Sequence, residues 1–434
     1  MLQTLKNAWR VEEIRKKLLF TLFMILLFRL GNAVPVPYIN KALLGQYFAS
    51  SLNNTILGLY NVMSGSAFSQ GTVFALSIQP YINASIIIQL LTIAIPALER
   101  MSKDGGEEGK RKLENITRYS TVAIALLQGY GYYVILNTNG LLSTSGFLPA
   151  LVIVATLVTG SCLVMWMGEQ ITEFGIGNGI SIILFAGIIA RVPNVVITMI
   201  NNLIHPSSWV VYLMYPLMIV GALVMIVLIV IVTNAERRIP VMYAKRVVGR
   251  KVYGGQSTHL PLKVNMSGVL PVIFAQSIAS LPATVGMFFG KTSQSAGGWG
   301  TFLKLFDQTS VLYMVLYFLL IIFFSYFYST IQFNPIEVAN NLKKNGGYIP
   351  GFRPGKPTSD FISKVLNKVT MFGAIYLAII ALVPLIVGAL SETASKSGIT
   401  IGGTSLIIVV GVALETVKAL EAQLIMRNYK GFLE

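Results

Sequence analysis

Ten stretches of this sequence stay apolar for roughly 20 residues at a time, which is the length a helix needs to cross a hydrocarbon layer about 30 Å thick. They run at 18–38, 74–96, 119–137, 148–168, 180–200, 210–233, 268–289, 311–331, 366–388 and 400–418. A water-soluble core would have to hide all ten, and too little polar chain is left to cover them. Only 12% of the 434 residues are charged and 54% are hydrophobic, whereas soluble domains carry about 25% charged residues. Lipid offers the backbone no hydrogen-bond partners, so runs of this length are read as helices. The expected fold class is an all-α membrane protein with ten transmembrane helices. The first run is longer than a signal-peptide core and no small-residue cleavage site closes it, so it is read as a retained first span.

The formal net charge of +16 must then sit in the connections. Lys6, Arg10, Arg15, Lys16 and Lys17 precede the first run, and Arg100, Lys103, Lys110, Arg111, Lys112 and Arg118 lie between the second and third. Further clusters follow the sixth, eighth and tenth runs, while the opposite side holds only Lys41, Arg191, Lys291, Lys304 and Lys396. Basic residues stay on the cytoplasmic side of short loops, which places both termini in the cytoplasm and requires an even number of spans. Ten spans divide into five and five, so the second half (residues 201–434) starts on the side opposite the first (1–200) and any internal repeat is inverted.

The acidic residues exclude some functions. All seventeen Asp and Glu lie outside the runs or at their ends, whereas proton-coupled carriers keep a carboxylate near the midplane. Arg29 is a cation inside the first run, and snorkelling or pairing with backbone carbonyls accounts for it. His205 and His259 lie in loops, so no buried base serves an intramembrane nucleophile. The single Cys162 permits neither an intrachain disulfide nor a cysteine metal site. Gly175-Ile-Gly-Asn-Gly179 follows a membrane helix and no Walker lysine follows it, so it is read as a tight turn. No cofactor or enzymatic activity is expected.

Two features point the other way. The stretch 56–71 is small-residued and too polar to cross; it is either an outer loop or a re-entrant piece beside a cavity. The cytoplasmic loops at about 234–265 and 332–365 are longer than orientation alone requires. They carry Lys245, Arg246, Arg250, Lys251 and Arg353 among aromatic residues, as a surface that docks an anionic partner would. These residues leave open a passive channel driven from outside, a secondary transporter holding sodium on backbone carbonyls, and a membrane scaffold without a pore.

Five long motifs narrow the choice: SIQPYINASIIIQLL at Ser77–Leu91, GEQITEFGIGNGIS at Gly168–Ser181, QSTHLPLKVNMSGVLP at Gln256–Pro271, FNPIEVANNLKKNGGYIPGFRPG at Phe333–Gly355, and GGTSLIIVV at Gly402–Val410. Together they resemble the SecY family, the central subunit of the bacterial Sec translocon. The resemblance implies two inverted five-helix halves forming an hourglass channel in the bacterial cytoplasmic membrane. It implies an aliphatic pore ring at Ile78, Ile82, Ile180, Leu184, Ile273 and Ile408. It turns the 56–71 stretch into a plug containing Tyr60, Asn61, Met63, Ser64, Gly65 and Phe68, and it suggests a lateral gate whose polar members are Gln89, Gln128 and Gln276. The basic loop residues become a docking surface for the SecA ATPase or the ribosome with its nascent chain. The other implied partners are the SecE and SecG subunits, signal peptides and membrane lipid.

Overall fold

A computed structural model of the chain describes residues 6, 8–48, 56–205, 210–243, 246–248, 251–253, 257–266, 268–289, 297–308, 310–390 and 403–430. Helix accounts for the body of each apolar run. The first half contains α1 (Glu12–Gly31), α2 (Lys41–Tyr47), α3 (Ile56–Met63), α4 (Ala67–Gln70), α5 (Gln79–Ala94), α6 (Pro96–Lys103), α7 (Gly106–Thr138), α8 (Phe147–Phe174), α9 (Gly179–Ile189) and α10 (Val192–Ile204). The second half opens with α11 (Val210–Asn234) and then β1 (Glu236–Tyr243), β2 (Arg246–Val248), β3 (Lys251–Tyr253) and β4 (Ser257–Lys263). It continues through α12 (Leu270–Ala279), α13 (Leu281–Phe288), α14 (Gly298–Leu305), α15 (Val311–Gln332), α16 (Pro335–Lys344), β5 (Gly347–Tyr348), α17 (Lys356–Leu390) and α18 (Gly403–Lys430).

Among the described residues, five helical segments suffice by length and composition to cross a bilayer: Phe147–Phe174, Gly179–Ile204, Tyr215–Asn234, Val311–Lys344 and Lys356–Val387. Among the described residues three runs are interrupted near a proline, one of them inside Gly179–Ile204, which is still long enough to cross. Pro96 forces the preceding Ile95 into an extended conformation, because its ring excludes the helical region for the residue before it. The chain turns by 105° between Gln79–Ala94 and Pro96–Ser102. A turn at Ala190 and Arg191 precedes Pro193, and Ser280, ahead of Pro282, separates α12 from α13. The Gly-Ile-Gly-Asn-Gly stretch is the tight turn expected of it. Gly177 supplies a φ of +75°, and the Asn178 side chain then caps α9 by accepting from the amides of Ile180 and Ser181 at 3.0 and 3.3 Å.

The all-α body stands as expected, with one addition outside it. The two long loops fold together into an antiparallel sheet of order β4-β1-β5. In β1 the buried residues alternate, Ile239 and Val241 facing inward, and they pack with Leu262, Ile349 and Ile362 in a small core of their own. Such a backbone has left the membrane, where lone strands leave their polar groups unpaired. The sheet sits at the Asn234 end of α11 and the Gln332 end of α15. Outside, α11 exposes Leu217, Leu223, Val227 and Ile231, an apolar surface that only lipid or a protein partner tolerates.

Candidate functional site

The six ring residues come from four places in the chain. Ile78 is the N-cap of α5 and Ile82 lies one turn into it; Ile180 and Leu184 lie on α9, Ile273 on α12 and Ile408 on α18. All except Ile180 are buried in the protein's main hydrophobic core, and Ile180 packs against it half-buried. Gly168 of α8 lies against two of them, with room for ordinary van der Waals contact. A Cβ built there would lie 3.4 Å from Ile78 Cδ1 and 3.5 Å from Ile180 Cγ1. Ser77, just before the ring, holds φ at +51°, a conformation that costs a non-glycine residue roughly 1–3 kcal/mol and is tolerated only where packing imposes it.

The 56–71 stretch is neither a loose loop nor a crossing. Two short helices, α3 and α4, flank a turn at Ser64–Ser66, and the same core contains Tyr60, Met63 and Phe68. Every plug residue expected from the sequence has a defined neighbour. The Tyr60 hydroxyl lies 3.1 Å from Ser280 Oγ and 3.2 Å from Thr284 Oγ1. Met63 Sδ accepts from Gln79 Nε2 at 2.8 Å and from Gln276 Nε2 at 3.4 Å. Asn61 Oδ1 takes the Ser69 amide at 3.0 Å, and Ser64 Oγ takes the Phe68 amide at 3.2 Å, so the turn is stitched internally. Gly65, at φ +67°, sits against the Gly187 carbonyl of α9 and the Arg29 guanidinium. The Phe68 ring meets Phe48 and Tyr132 at 5.3 and 4.7 Å, and Tyr132 Oη donates to the Phe68 carbonyl at 2.8 Å.

Of the three gate glutamines, Gln276 reaches Met63, while Gln128 lines a small cavity with Tyr60, Phe68, Ala75, Leu76, Gln79 and Thr284. Gln89 stands apart from these two: it donates to Ser85 of its own helix at 3.5 Å and lies beside the Tyr328 hydroxyl of α15. In the loops, Lys245 and Arg250 lie outside the described residues. Arg246 and Lys251 occupy β2 and β3, whose register pairs Arg246 with Tyr253 and Val248 with Lys251. Arg353 is exposed on a turn held from both sides. Phe352 stacks on Phe361 with centroids 4.2 Å apart, and Thr358 Oγ1 donates to the Arg353 carbonyl at 2.8 Å. Among the described residues no group of three or more His, Cys, Asp or Glu is arranged to hold a metal ion.

A family model described as SecY matches residues 72–417. The chain belongs to the SecY family. The protein translocase subunit SecY of Streptomyces coelicolor is 45% identical over 446 residues, spanning the whole of both chains. That of Halalkalibacterium halodurans is 44% identical over 440 residues, again end to end. A solved structure described as that of a protein conducting channel superposes with a TM-score of 0.62 at 17% identity, over 94% of this chain and 92% of its own. A second, whose SecY plug domain is described as stabilising the closed state and maintaining a membrane seal, gives 0.61 at 17% identity over the same shares. These likenesses establish the fold, and with its apolar helices this member of the SecY family is a multi-pass membrane protein.

Sequence reasoning missed several residues that hold the SecY-like site together. Asn32 Nδ2 donates to the Ser64 carbonyl at 3.3 Å, and Gln79, Ser280 and Thr284 hold the 56–71 segment as described. Gln79 was within reach, since it is a lone buried amide inside the SIQPYINAS motif; Ser280 and Thr284 carry no signal that separates them from other small polar residues in apolar helices. Removing one hydroxyl tests this grip. Tyr60→Phe is expected to lose roughly 1 kcal/mol, about a fivefold change in equilibrium, seen as greater protease sensitivity of the 56–71 segment in reconstituted protein. Unchanged sensitivity would mean that the ring, not the hydroxyl, holds the segment.

Proposed function

We propose that this chain is the channel-forming subunit of a protein translocase, moving unfolded, signal-bearing polypeptides across the bacterial cytoplasmic membrane. One observation carries the reading: aliphatic side chains from α5, α9, α12 and α18 are buried in one continuous hydrophobic core, and residues of the 56–71 segment are buried in the same core. An aliphatic constriction excludes water and ions when closed, yet its contacts are non-directional and adapt to any extended chain. The names of the relatives and the channel folds agree with this. The chain itself is not a catalyst, so the driving energy comes from outside.

In this reading there are ten spans with both termini in the cytoplasm, residues 1–200 and 201–434 form inverted halves around an hourglass pore, and 56–71 is the plug. The lateral gate lies between α5 and α7 on one side and α12, α13 and α15 on the other, where α7 touches α13. Opening it would release hydrophobic segments and signal sequences into lipid. The sheet of β1, β4 and β5, the β2–β3 hairpin and the Arg353 turn form the docking surface for SecA or a ribosome. Two neighbours of the same fold, canine Sec61 and yeast Ssh1, are described in ribosome complexes. SecE and SecG are the expected small membrane partners.

The test is a photo-crosslinker placed at Ile82 or Ile408 in protein reconstituted with its small partners, challenged with a stalled precursor. Crosslinks from both positions to the translocating segment, absent with a precursor lacking its signal, are expected. Efficient translocation without such crosslinks would place the path elsewhere.

A further inference from the structure

The helix α14 is amphipathic in the wrong sense for water. Its buried residues are Gly300 and Leu303, while Trp299 and Phe302, one turn apart, are 41% and 42% exposed. Phe289 and Phe306 extend this stripe into a continuous chain of rings, with centroid separations of 6.1 Å from Phe289 to Trp299, 5.5 Å to Phe302 and 5.1 Å to Phe306. A soluble protein turns the polar side of such a helix outward. Here the aromatic side faces out, and the exposed Lys304 lies next to it on the same short helix.

Position decides what covers it. α14 packs on α13 and on the start of α15. At 22 residues, α15 is about 33 Å long, so its two ends reach opposite faces of a bilayer. The sheet that has left the membrane lies at the Gln332 end, and α14 lies at the Val311 end. The aromatic stripe therefore sits at the Val311 end of α15, whose exposed Leu312, Val315, Leu319 and Phe323 must meet lipid. Aromatic rings beside a cation at that depth match the boundary between headgroups and acyl chains, which accepts a ring's apolar body and its polar edge together.

We propose that α14 is an interfacial anchor, lying in the headgroup layer of the leaflet opposite the sheet with Trp299, Phe302 and Phe306 inserted at the acyl boundary and Lys304 toward lipid phosphate. It holds the connection between α13 and α15 at the membrane surface. Since α13 carries Thr284, which contacts Tyr60, the anchor bears directly on the helix that grips the 56–71 segment.

Depth-dependent quenching tests it. Full-length protein with Trp9, Trp166 and Trp209 replaced by Phe retains Trp299 as its one tryptophan, and is reconstituted into vesicles whose acyl chains are brominated either near the glycerol end or near the methyl end. Quenching roughly twofold or more stronger from the shallow bromines is expected, with weak quenching by aqueous iodide. Stronger quenching from the deep bromines would put the helix in the hydrocarbon core. Strong iodide quenching alone would put it in water, and no quenching from either side would mean that a second copy or another protein covers it; each of these overturns the proposal. Should the triple variant fold poorly, Phe302→Cys in a Cys162→Ser background carries a nitroxide instead. Its accessibility to oxygen and to a polar nickel complex should be intermediate for both, and a value at either extreme overturns the anchor.

Discussion

Bilayers containing the Gly187→Val variant should conduct ions with no precursor present. A Cβ at Gly187 would run into the Met63 carbonyl, a backbone atom that cannot rotate aside, so the Ser64–Ser66 turn would have to move as a body. That motion withdraws Met63 from Gln79 and Gln276 and Tyr60 from Ser280 and Thr284. Overpacking of this kind costs about 2–3 kcal/mol, or roughly a 30- to 150-fold fall in the ratio of seated to unseated plug. Planar-bilayer conductance of the purified variant checks it. A wild-type conductance, with normal expression and helix content, would show that the contact between α9 and the 56–71 turn does not hold the seal.

Ile408→Asn is expected to open a leak by a different route. Ile408 is only 1% exposed, and the amide would be surrounded by the aliphatic side chains of the same core. An unpartnered buried amide costs about 1–3 kcal/mol, and water entering to satisfy it wets the constriction. Ion leakage should rise roughly tenfold in the closed channel and persist while a precursor is moving. Ile408→Leu, which keeps volume and apolarity, should remain tight. Equal leakage from the two variants would mean that packing volume, not dryness, seals the waist.

These two predictions differ in how far the sequence alone could have taken them. Ile408 lies in a motif whose resemblance points to the ring, and residue type alone explains why a dry constriction uses Ile and Leu. Gly187 stands in an apolar helix among other small residues, and nothing in its spacing says that a carbonyl from residue 63 will rest on it. The loops make the same contrast. Alternation in Ile239-Pro-Val241 is legible as a strand, and Asn334-Pro335 as a helix start, which the Asn334 side chain fulfils by accepting from the Ile336 amide at 3.1 Å. That β5, more than 100 residues further on, would pair with β1 through Met242 and Tyr348 has no local signature, because register across a long connection is chosen by the helices that bring the strands together.

What the sequence by itself determined about this protein is where its helices run: apolar runs of membrane length must be helical, and prolines and caps mark their breaks and starts. Membrane helices are apolar on every side, so periodicity does not tell a side chain facing lipid from one facing the pore or a neighbouring helix. Only the tertiary structure decided that Ile78, Leu184, Ile273 and Ile408 share one cluster, and that Met63 rests between two glutamines 197 residues apart in the chain. Those choices follow from which small residues let backbones approach and which buried polar groups had to find each other.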